Sequence, residues 1–202
     1  MNRAVFLDRD GVINAALYDP LESKLDTPYR LEDFRLLPGV GQAVRAINEM
    51  GFLAVVVSNQ PGVAKGKCDH AFLEAVNAEL TARLARQRAH LDAIYYCLHH
   101  PDAVDESLRI DCECRKPKPG LLLRAARELD IDLAGSFMLG DSLKDIEAGL
   151  AAGCQTSLVD GHRAHSRPGE AARMQPHWTA PNLLAAVETI RCIEEGCPWR
   201  SS

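Results

Sequence analysis

The chain is predicted to be an α/β protein with a parallel sheet covered by helices on both faces. Short apolar segments of strand length alternate along it with longer amphipathic segments of helix length. Several of the short segments are apolar without interruption, which is typical of central strands in a parallel sheet. The 202 residues, 47% of them hydrophobic, suffice to bury one core. We therefore expect a single domain over residues 1–202.

The predicted strands and helices follow one another in regular order. Strands are expected over residues 4–7, 52–57, 93–97, 136–139 and 156–159. Helices are expected over residues 40–50, 68–87, 120–129, 143–152 and 182–192. Residues 15–33 and 161–175 are predicted to be irregular loops, the second of them mobile, because they combine turn-forming residues with no apolar period.

Charge and hydropathy exclude several classes of partner. The formal net charge is −5, whereas nucleic-acid-binding domains are usually basic. No apolar run approaches the ~18 residues that a membrane span requires, and no secretory leader is recognisable at the N-terminus. We therefore expect a cytoplasmic monomer that acts on a small molecule and binds neither nucleic acid nor a membrane.

Two carboxylates follow the first predicted strand directly. Asp8 and Asp10 are separated by one residue, and Gly11 allows the chain to turn away at little steric cost. Such a pair at a strand end could supply one carboxylate for attack or metal binding and a second for proton transfer. Taken alone, the pattern is equally typical of an acidic turn.

The ends of two further strands favour the catalytic interpretation. Ser58 follows Val57, and Asp141 follows the apolar segment that ends at Gly140. The carboxyl ends of parallel strands meet at one edge of the sheet, so these side chains should lie near Asp8. The basic segment 115–120 precedes a predicted helix and would add cations there. Carboxylates, a hydroxyl and a lysine suit phosphoryl transfer, and the absence of a nucleotide-binding glycine motif favours hydrolysis of a phosphate ester.

Four segments of the chain resemble, in order, the motifs of the haloacid-dehalogenase-like (HAD) phosphatases. These segments are Asp8-Arg9-Asp10-Gly11-Val12-Ile13-Asn14, Ser58-Asn59-Gln60, Arg115-Lys116-Pro117-Lys118-Pro119-Gly120 and Gly140-Asp141-Ser142-Leu143-Lys144-Asp145. The resemblance spans about residues 4–160 and is strongest to the branch of heptose bisphosphate 7-phosphatases and histidinol-phosphate phosphatases. It implies a Rossmann-like HAD fold with a minimal cap.

The resemblance also implies an activity, the Mg²⁺-dependent hydrolysis of a phosphomonoester through an aspartyl-phosphate. A heptose 1,7-bisphosphate is the expected substrate, with histidinol phosphate or another small phosphate ester as the alternative. A third interpretation is a phosphate-binding module without turnover. Every catalytic position of the four motifs carries the residue type that turnover needs, which weighs against this third interpretation.

The acidic residues take their expected roles from the same resemblance. It implies that Asp8 is the nucleophile. Asp10 would be the general acid for the leaving alkoxide and then the base for the attacking water. Asp8, Asp10 through its backbone carbonyl, and Asp141 would bind Mg²⁺.

The polar and basic residues have expected roles in binding. The resemblance implies that Ser58 and Lys116 bind the transferring phosphoryl group and that Arg115 contacts the substrate. Asn59 and Gln60 would line the pocket. Lys118 remains an alternative to Lys116.

Four residues are predicted to bind a structural Zn²⁺ in a loop over residues 97–114. Cys97 and His99 form a C-x-H step and Cys112 and Cys114 a C-x-C step, which together make a closed tetrahedral ligand set. The other four cysteines are scattered along the chain. The resemblance supports this site, because relatives carry such a zinc loop at the same place. His100 remains an alternative to His99.

The loop over residues 15–33 is predicted to be a lid or a substrate-reading segment, since long loops beside a site are usually functional. In typical heptose bisphosphate phosphatases a shorter segment here, often with a Gly-Tyr pair, contacts the sugar. This chain has Tyr18 and Tyr29 but no Gly-Tyr pair. No sugar-binding residue is therefore assigned in the loop.

Overall fold

The structure is a computed structural model that describes residues 1–19, 24–159 and 175–197. Its strands are β1 (Ala4–Leu7), β2 (Leu17–Asp19), β3 (Lys24–Asp26), β4 (Leu53–Asn59), β5 (Ala93–Cys97), β6 (Phe137–Gly140), β7 (Gln155–Val159) and β8 (Trp178–Ala180). Its α-helices are α1 (Val40–Glu49), α2 (His70–Ala85), α3 (Gly120–Leu129), α4 (Leu143–Ala152) and α5 (Leu183–Glu194). Leu31–Asp33 and Glu106–Leu108 form short turns of 3-10 helix. Within those ranges no helix combines the length and apolarity needed to cross a bilayer.

Six strands form one parallel sheet in the order β5-β4-β1-β6-β7-β8. The chain builds outward from β1 through β4 to β5, then crosses back to place β6 on the other side of β1. In such sheets ligands bind where the direction of winding changes, at the carboxyl ends of the strands. Leu7 is in register with both Val56 and Leu139, so the carboxyl ends of β1, β4 and β6 lie at the same edge of the sheet. The fold therefore brings the predicted site residues to one edge.

Both faces of the sheet are buried, as the continuously apolar strands predict. Val5 and Leu7 pack into a core with residues of α1, α2 and α5. Ala4 and Phe6 point to the opposite face and pack with residues of α3 and α4. The prediction of a parallel sheet with helices on both faces is confirmed.

Two short elements were not predicted from the sequence. The stretch expected to be an irregular loop over residues 15–33 contains an antiparallel hairpin in which Leu17 pairs with Asp26. Strand β8 adds a sixth strand, with Trp178 and Ala180 buried and Thr179 exposed. Each of these strands is three residues long, which is too short for an alternating pattern to be recognised. The mobile loop predicted over residues 161–175 lies outside the described residues except for its last position.

The other boundaries differ from the predicted ones by no more than two residues, a usual margin for element ends. The difference matters at β4, which was expected to end at Val57. The strand continues through Ser58 and Asn59, which pair with Tyr96 and Cys97 of β5. Ser58 therefore lies within the sheet rather than in the turn that follows it.

Candidate active site

A cleft of about 270 Å³ opens at the carboxyl ends of β1, β4 and β6. Its walls come from the strand ends, the hairpin segment, the loop before α3 and the first turn of α4. They are formed by Asp8, Asp10, Ala16, Asp26, Thr27, Ser58, Asn59, Pro61, Arg115, Lys116, Ser142, Lys144 and Asp145. Most of the residues predicted from the four motifs therefore meet in this cleft.

Lys116 is the buried cation of the cleft. Its ammonium nitrogen lies 2.9 Å from Asp8 Oδ1 and 2.5 Å from Asp145 Oδ1, and it donates to the carbonyl of Val57 at 2.8 Å. Burial by itself would lower the pKa of Lys116, but the carboxylates of Asp145 and Asp8 outweigh it and raise the pKa above its ordinary value. The lysine therefore stays charged inside the protein, because its two carboxylate partners offset the cost of burying an ammonium.

The pKa of the Asp8 carboxyl is raised, chiefly because burial removes the water that would solvate its charge. Lys116 opposes this shift, while the negative charges of Asp145 and Asp10 add to it. A second cation close to Asp8 would favour the ionised form that a nucleophile needs.

The backbone of Lys116 is fixed by Asn59 at the end of β4. The Asn59 side chain donates to the Lys116 carbonyl and accepts from the Lys116 N–H, each at 3.0 Å. Lys118, by contrast, points to the surface and contacts Asp111 at 2.8 Å and Glu113 at 3.1 Å. The structure thus brings Lys116 to Asp8 and leaves Lys118 outside the cleft.

Three carboxylates are grouped at the end of the sheet. Asp8, Asp141 and Asp145 each offer an oxygen within 4.8 Å of the others, so the group could hold a metal ion. The approach of Asp141 requires the glycine of the first motif, because a Cβ on Gly11 would lie 2.0 Å from Asp141 Oδ2. Gly11 also has a φ of +89°, in the region that favours glycine.

Asp145 was not assigned a role from the sequence. It is almost fully buried, it contacts Lys116, and its other oxygen accepts from the N–H and hydroxyl of Ser142 at the start of α4. The Ser-x-x-Asp spacing is a recognisable capping box. That signal predicts a helix start and gives no indication that the carboxylate also reaches the cleft.

Asp10 faces the cleft, and its carboxylate accepts hydrogen bonds from four polar side chains. The donors to its carboxylate are Arg9, Asn14, Thr27 and Gln60. Gln60, expected to line the pocket, is buried behind Asp10 and is not part of the cleft wall. Arg9 and Thr27 were not predicted to be site residues.

Ser58 and Arg115 approach the cleft from two different elements. Ser58 is buried in β4, and its hydroxyl accepts a hydrogen bond from Gln60 at 3.1 Å. Arg115 lies in the loop before α3 and donates to the carbonyl of His99 at 3.1 Å. Arg115 therefore links the cleft to the predicted zinc loop.

The four predicted zinc ligands form a cluster in which all ligand atoms lie within 4.8 Å of one another. The three sulfur atoms are 3.2 to 3.6 Å apart, and His99 Nδ1 lies 3.2 Å from Cys114 Sγ. Sulfurs bound at 2.3 Å to a tetrahedral zinc would be about 3.8 Å apart, so the cluster has nearly the required size. Burial raises the pKa of the Cys97 thiol, as does the hydrogen bond that this thiol shares with Cys114, and a divalent cation would reverse that effect.

His100 does not join this cluster. Its Nδ1 accepts a hydrogen bond at 3.0 Å from the backbone N–H of Asp102. The structure thus places His99, rather than His100, with the three cysteines.

Comparison with known proteins identifies the family to which the chain belongs. A family model described as HAD-hydrolase-like matches residues 113–186. The D-glycero-β-D-manno-heptose-1,7-bisphosphate 7-phosphatase of Photorhabdus laumondii is 42% identical over 158 residues, which are 77% of this chain and 79% of that protein. The enzyme of the same name from Yersinia pestis is 40% identical over 191 residues, 93% of this chain and 95% of its own.

A solved structure is similar over nearly the whole chain. It is D,D-heptose 1,7-bisphosphate phosphatase from B. bronchiseptica complexed with magnesium and phosphate, with 32% identity and a TM-score of 0.76. The match covers 96% of this chain and 99% of that one. The chain therefore belongs to the HAD-like phosphatases, and within them to the family of the D-glycero-β-D-manno-heptose-1,7-bisphosphate 7-phosphatases.

Proposed function

We propose that this protein removes the 7-phosphate from a D-glycero-D-manno-heptose 1,7-bisphosphate. The observation that carries the proposal is the position of Asp8, which lies in the cleft with its carboxylate 2.9 Å from the buried ammonium of Lys116. The 40% identity to the Yersinia enzyme over 93% of the chain supports the choice of substrate.

The reaction proceeds in two displacements at phosphorus. In the first, a carboxylate oxygen of Asp8 attacks the phosphorus, the bond to the sugar oxygen breaks, and Asp10 donates a proton to that oxygen. In the second, water attacks the aspartyl-phosphate, the bond to Asp8 breaks, and Asp10 takes the proton that the water loses. Phosphate leaves, and both carboxyl groups return to their starting states.

The other cleft residues bind and orient the phosphoryl group. Lys116 stabilises the negative charge of the transferring group, and the Ser58 hydroxyl donates to one of its oxygens. Asn59 acts through Lys116, because its side-chain amide holds both the backbone N–H and the carbonyl of Lys116. Arg115, at the rim, contacts the substrate.

The acidic residues fit a divalent cation. Four carboxylates of the site, those of Asp8, Asp10, Asp141 and Asp145, each carry a negative charge when ionised. The two buried cations, Lys116 and Arg9, supply two positive charges, so the carboxylates exceed these cations by two charges. Asp8, Asp141 and the backbone carbonyl of Asp10 would hold Mg²⁺, which prefers a few carboxylates together with phosphate oxygens. When bound, Mg²⁺ supplies positive charge to the phosphoryl oxygens and favours ionised Asp8.

Cys97, His99, Cys112 and Cys114 would hold a structural Zn²⁺. Four protein ligands leave no open position for water or substrate, so this ion takes no part in the chemistry. Its role is to fix a loop that ends directly before Arg115, whose guanidinium also donates to the carbonyl of His99.

A substrate panel tests the proposed function. Phosphate release with Mg²⁺ is measured for both anomers of D-glycero-D-manno-heptose 1,7-bisphosphate and for histidinol phosphate, and ³¹P NMR identifies the phosphate removed. We expect the preferred heptose anomer to exceed histidinol phosphate at least about tenfold in kcat/KM, since contacts to the whole substrate contribute to specificity. Preference for histidinol phosphate, or loss of the 1-phosphate, would contradict the proposed substrate, and lack of any turnover would contradict the activity.

A further inference from the structure

We propose that Thr27, held by the buried Arg9, is a positioning residue for the Asp10 carboxyl during proton transfer to the leaving group. This proposal rests on the proposed function, because it presupposes that Asp10 transfers the proton. Thr27 follows β3 directly and belongs to the segment whose role the motifs leave open.

The contacts of the Asp10 carboxylate show why such a residue is needed. Oδ1 accepts from Asn14 Nδ2 at 2.9 Å, from Thr27 Oγ1 at 2.9 Å and from Arg9 Nη2 at 3.3 Å. Oδ2 accepts from Gln60 Nε2 at 2.6 Å and from Arg9 Nη2 at 3.2 Å. Every one of these contacts presents a hydrogen to a carboxylate oxygen, so the arrangement suits the ionised base.

The general acid, however, must carry a proton on the same carboxyl group. The guanidinium of Arg9 and the amide nitrogens of Asn14 and Gln60 are donors only, and none of them can accept a hydrogen bond from the protonated carboxyl. A hydroxyl can rotate and become an acceptor. Among the described side chains that contact the Asp10 carboxylate, Thr27 alone carries a hydroxyl. It can therefore satisfy both states of the proton-transferring group.

Arg9 fixes the hydroxyl of Thr27 in place. The guanidinium donates to Thr27 Oγ1 at 2.7 Å and to Gln60 Oε1 at 2.7 Å, and the arginine is completely buried. Its other terminal nitrogen donates to the hydroxyl of Tyr96 at 3.3 Å, and its guanidinium carbon lies 5.4 Å from the centre of the Tyr96 ring. Arg9 occupies one lone pair of the Thr27 oxygen and leaves the other for a protonated Asp10.

The hairpin segment is thereby connected to the chemistry. The Thr27 N–H donates at 2.9 Å to Asp26, which also accepts from Tyr29 at 2.9 Å and from Lys67 at 2.8 Å. These contacts hold Thr27 against the cleft wall beside Asp10. The segment therefore contributes a group that acts on the acid/base carboxylate in addition to forming the wall.

Two substrates that differ in their leaving group test the proposal. The sugar oxygen of heptose 1,7-bisphosphate needs a proton as it leaves, whereas 4-nitrophenolate leaves without one. The ratio kcat/KM reports the first displacement for both substrates. For Thr27→Val we expect a loss of about 10- to 100-fold on the heptose substrate, part of what general acid catalysis contributes, and less than about threefold on 4-nitrophenyl phosphate.

Three further variants complete the experiment. Thr27→Ser keeps the hydroxyl and should recover the heptose activity to within about threefold of the parent protein. Thr179→Val makes the same substitution on the exposed side of β8 and should change neither rate. Asp10→Asn should show the same dependence on the leaving group as Thr27→Val, with a larger loss.

Each remaining outcome is decisive. Equal losses of Thr27→Val on both substrates, no loss on either, or failure of Thr27→Ser to recover activity would overturn the role of Thr27. If Asp10→Asn spared the heptose substrate, the proton assignment in the proposed function would fail as well. A selective loss in Asp10→Asn without one in Thr27→Val would refute this inference alone.

Discussion

The ammonium of Lys116 lies 2.5 Å from Asp145 Oδ1, and both side chains are almost completely shielded from solvent. Asp145 also caps α4 through Ser142, so this ion pair connects the loop before α3 to the start of α4. A buried ammonium is stable only where its charge is matched, and here the match also directs Lys116 at Asp8. Asp145 is therefore expected to act on catalysis through Lys116.

Replacing Asp145 by alanine should impair both stability and turnover. We expect the free energy of unfolding to fall by about 3 kcal/mol, because a buried charge loses one partner. The value of kcat should fall about 100-fold as Lys116 loses its orientation. Chemical denaturation and phosphate release measure the two effects.

The control for this variant is Asp69→Ala, which also removes a helix-capping carboxylate. Asp69 accepts from the N–H of Phe72 at the start of α2 and is not one of the residues that line the cleft. It should cost about 1 kcal/mol of unfolding free energy, as loss of a cap does, and leave kcat unchanged. If Asp145→Ala behaved like this control, the role of Asp145 in orienting Lys116 would be wrong.

The two lysines of the third motif provide a matched pair. Lys116→Met should lower kcat about 100- to 1,000-fold, because the developing charge on the phosphoryl group loses its buried cation. Lys118→Met removes an exposed lysine and should leave kcat within about twofold, since surface ion pairs contribute little. Phosphate release under identical conditions measures both variants. A larger loss in Lys118→Met would reverse the assignment.

Replacing Asp8 by asparagine should abolish turnover while preserving the fold. An amide is a poor nucleophile and cannot form the aspartyl-phosphate. Circular dichroism verifies the fold, and phosphate release over long incubations measures the residual rate. Asp102→Asn, on the surface of the zinc loop, is the control and should retain full activity. Substantial hydrolysis by Asp8→Asn would disprove its role as the nucleophile.

Removing a zinc ligand should loosen the loop that holds Arg115. Protein purified without chelator is expected to contain about one zinc ion per chain, since the four ligands are grouped in the fold. Cys112→Ser should lose the metal and raise KM about tenfold, with a smaller effect on kcat. Cys192→Ser alters an exposed cysteine outside the cluster and serves as control. Absence of zinc from the parent protein, with unchanged KM in Cys112→Ser, would exclude the site.

The sheet and its two covered faces could be predicted because uninterrupted apolar segments are typical of strands that are buried on both faces. Val5 and Leu7 on one face and Ala4 and Phe6 on the other are all buried, and this requires an uninterrupted apolar segment. The end of β1 could be predicted equally well, because Asp8 breaks that segment. Local sequence was sufficient wherever burial alone decided the structure.

The partners of the site residues could not be predicted in the same way. Asp145 reaches Lys116, and Thr27 reaches Asp10, only because the fold brings distant segments together. Spacing along the chain distinguishes neither Lys116 from Lys118 nor a capping carboxylate from one that also faces the cleft. Such assignments depend on where a side chain points, which tertiary packing determines.

Asp26 is a cleft residue whose ionisation stabilises the hairpin segment. Burial by itself would raise the pKa of its carboxyl, but hydrogen bonds from Lys67, the N–H of Thr27 and the hydroxyl of Tyr29 lower it below the ordinary 3.8. A carboxyl whose pKa is lower in the folded state stabilises the protein above its unfolded-state pKa. That contribution is lost as the pH falls through the pKa of the folded state.

Asp26→Asn should therefore destabilise the protein in a pH-dependent way. At pH 7 we expect the free energy of unfolding to fall by about 1 to 2 kcal/mol, because charge-assisted hydrogen bonds are lost. The difference from the parent protein should persist at pH 5 and shrink below pH 3.8, as Asp26 of the parent becomes protonated. Urea denaturation at pH 7, 5 and 3 measures this difference. Asp111→Asn, which disrupts the exposed pair with Lys118, is the matched control and should show no measurable change at any of these pH values. A difference for Asp26→Asn that is the same at pH 7 and pH 3 would show that packing, rather than the charge of Asp26, stabilises the segment.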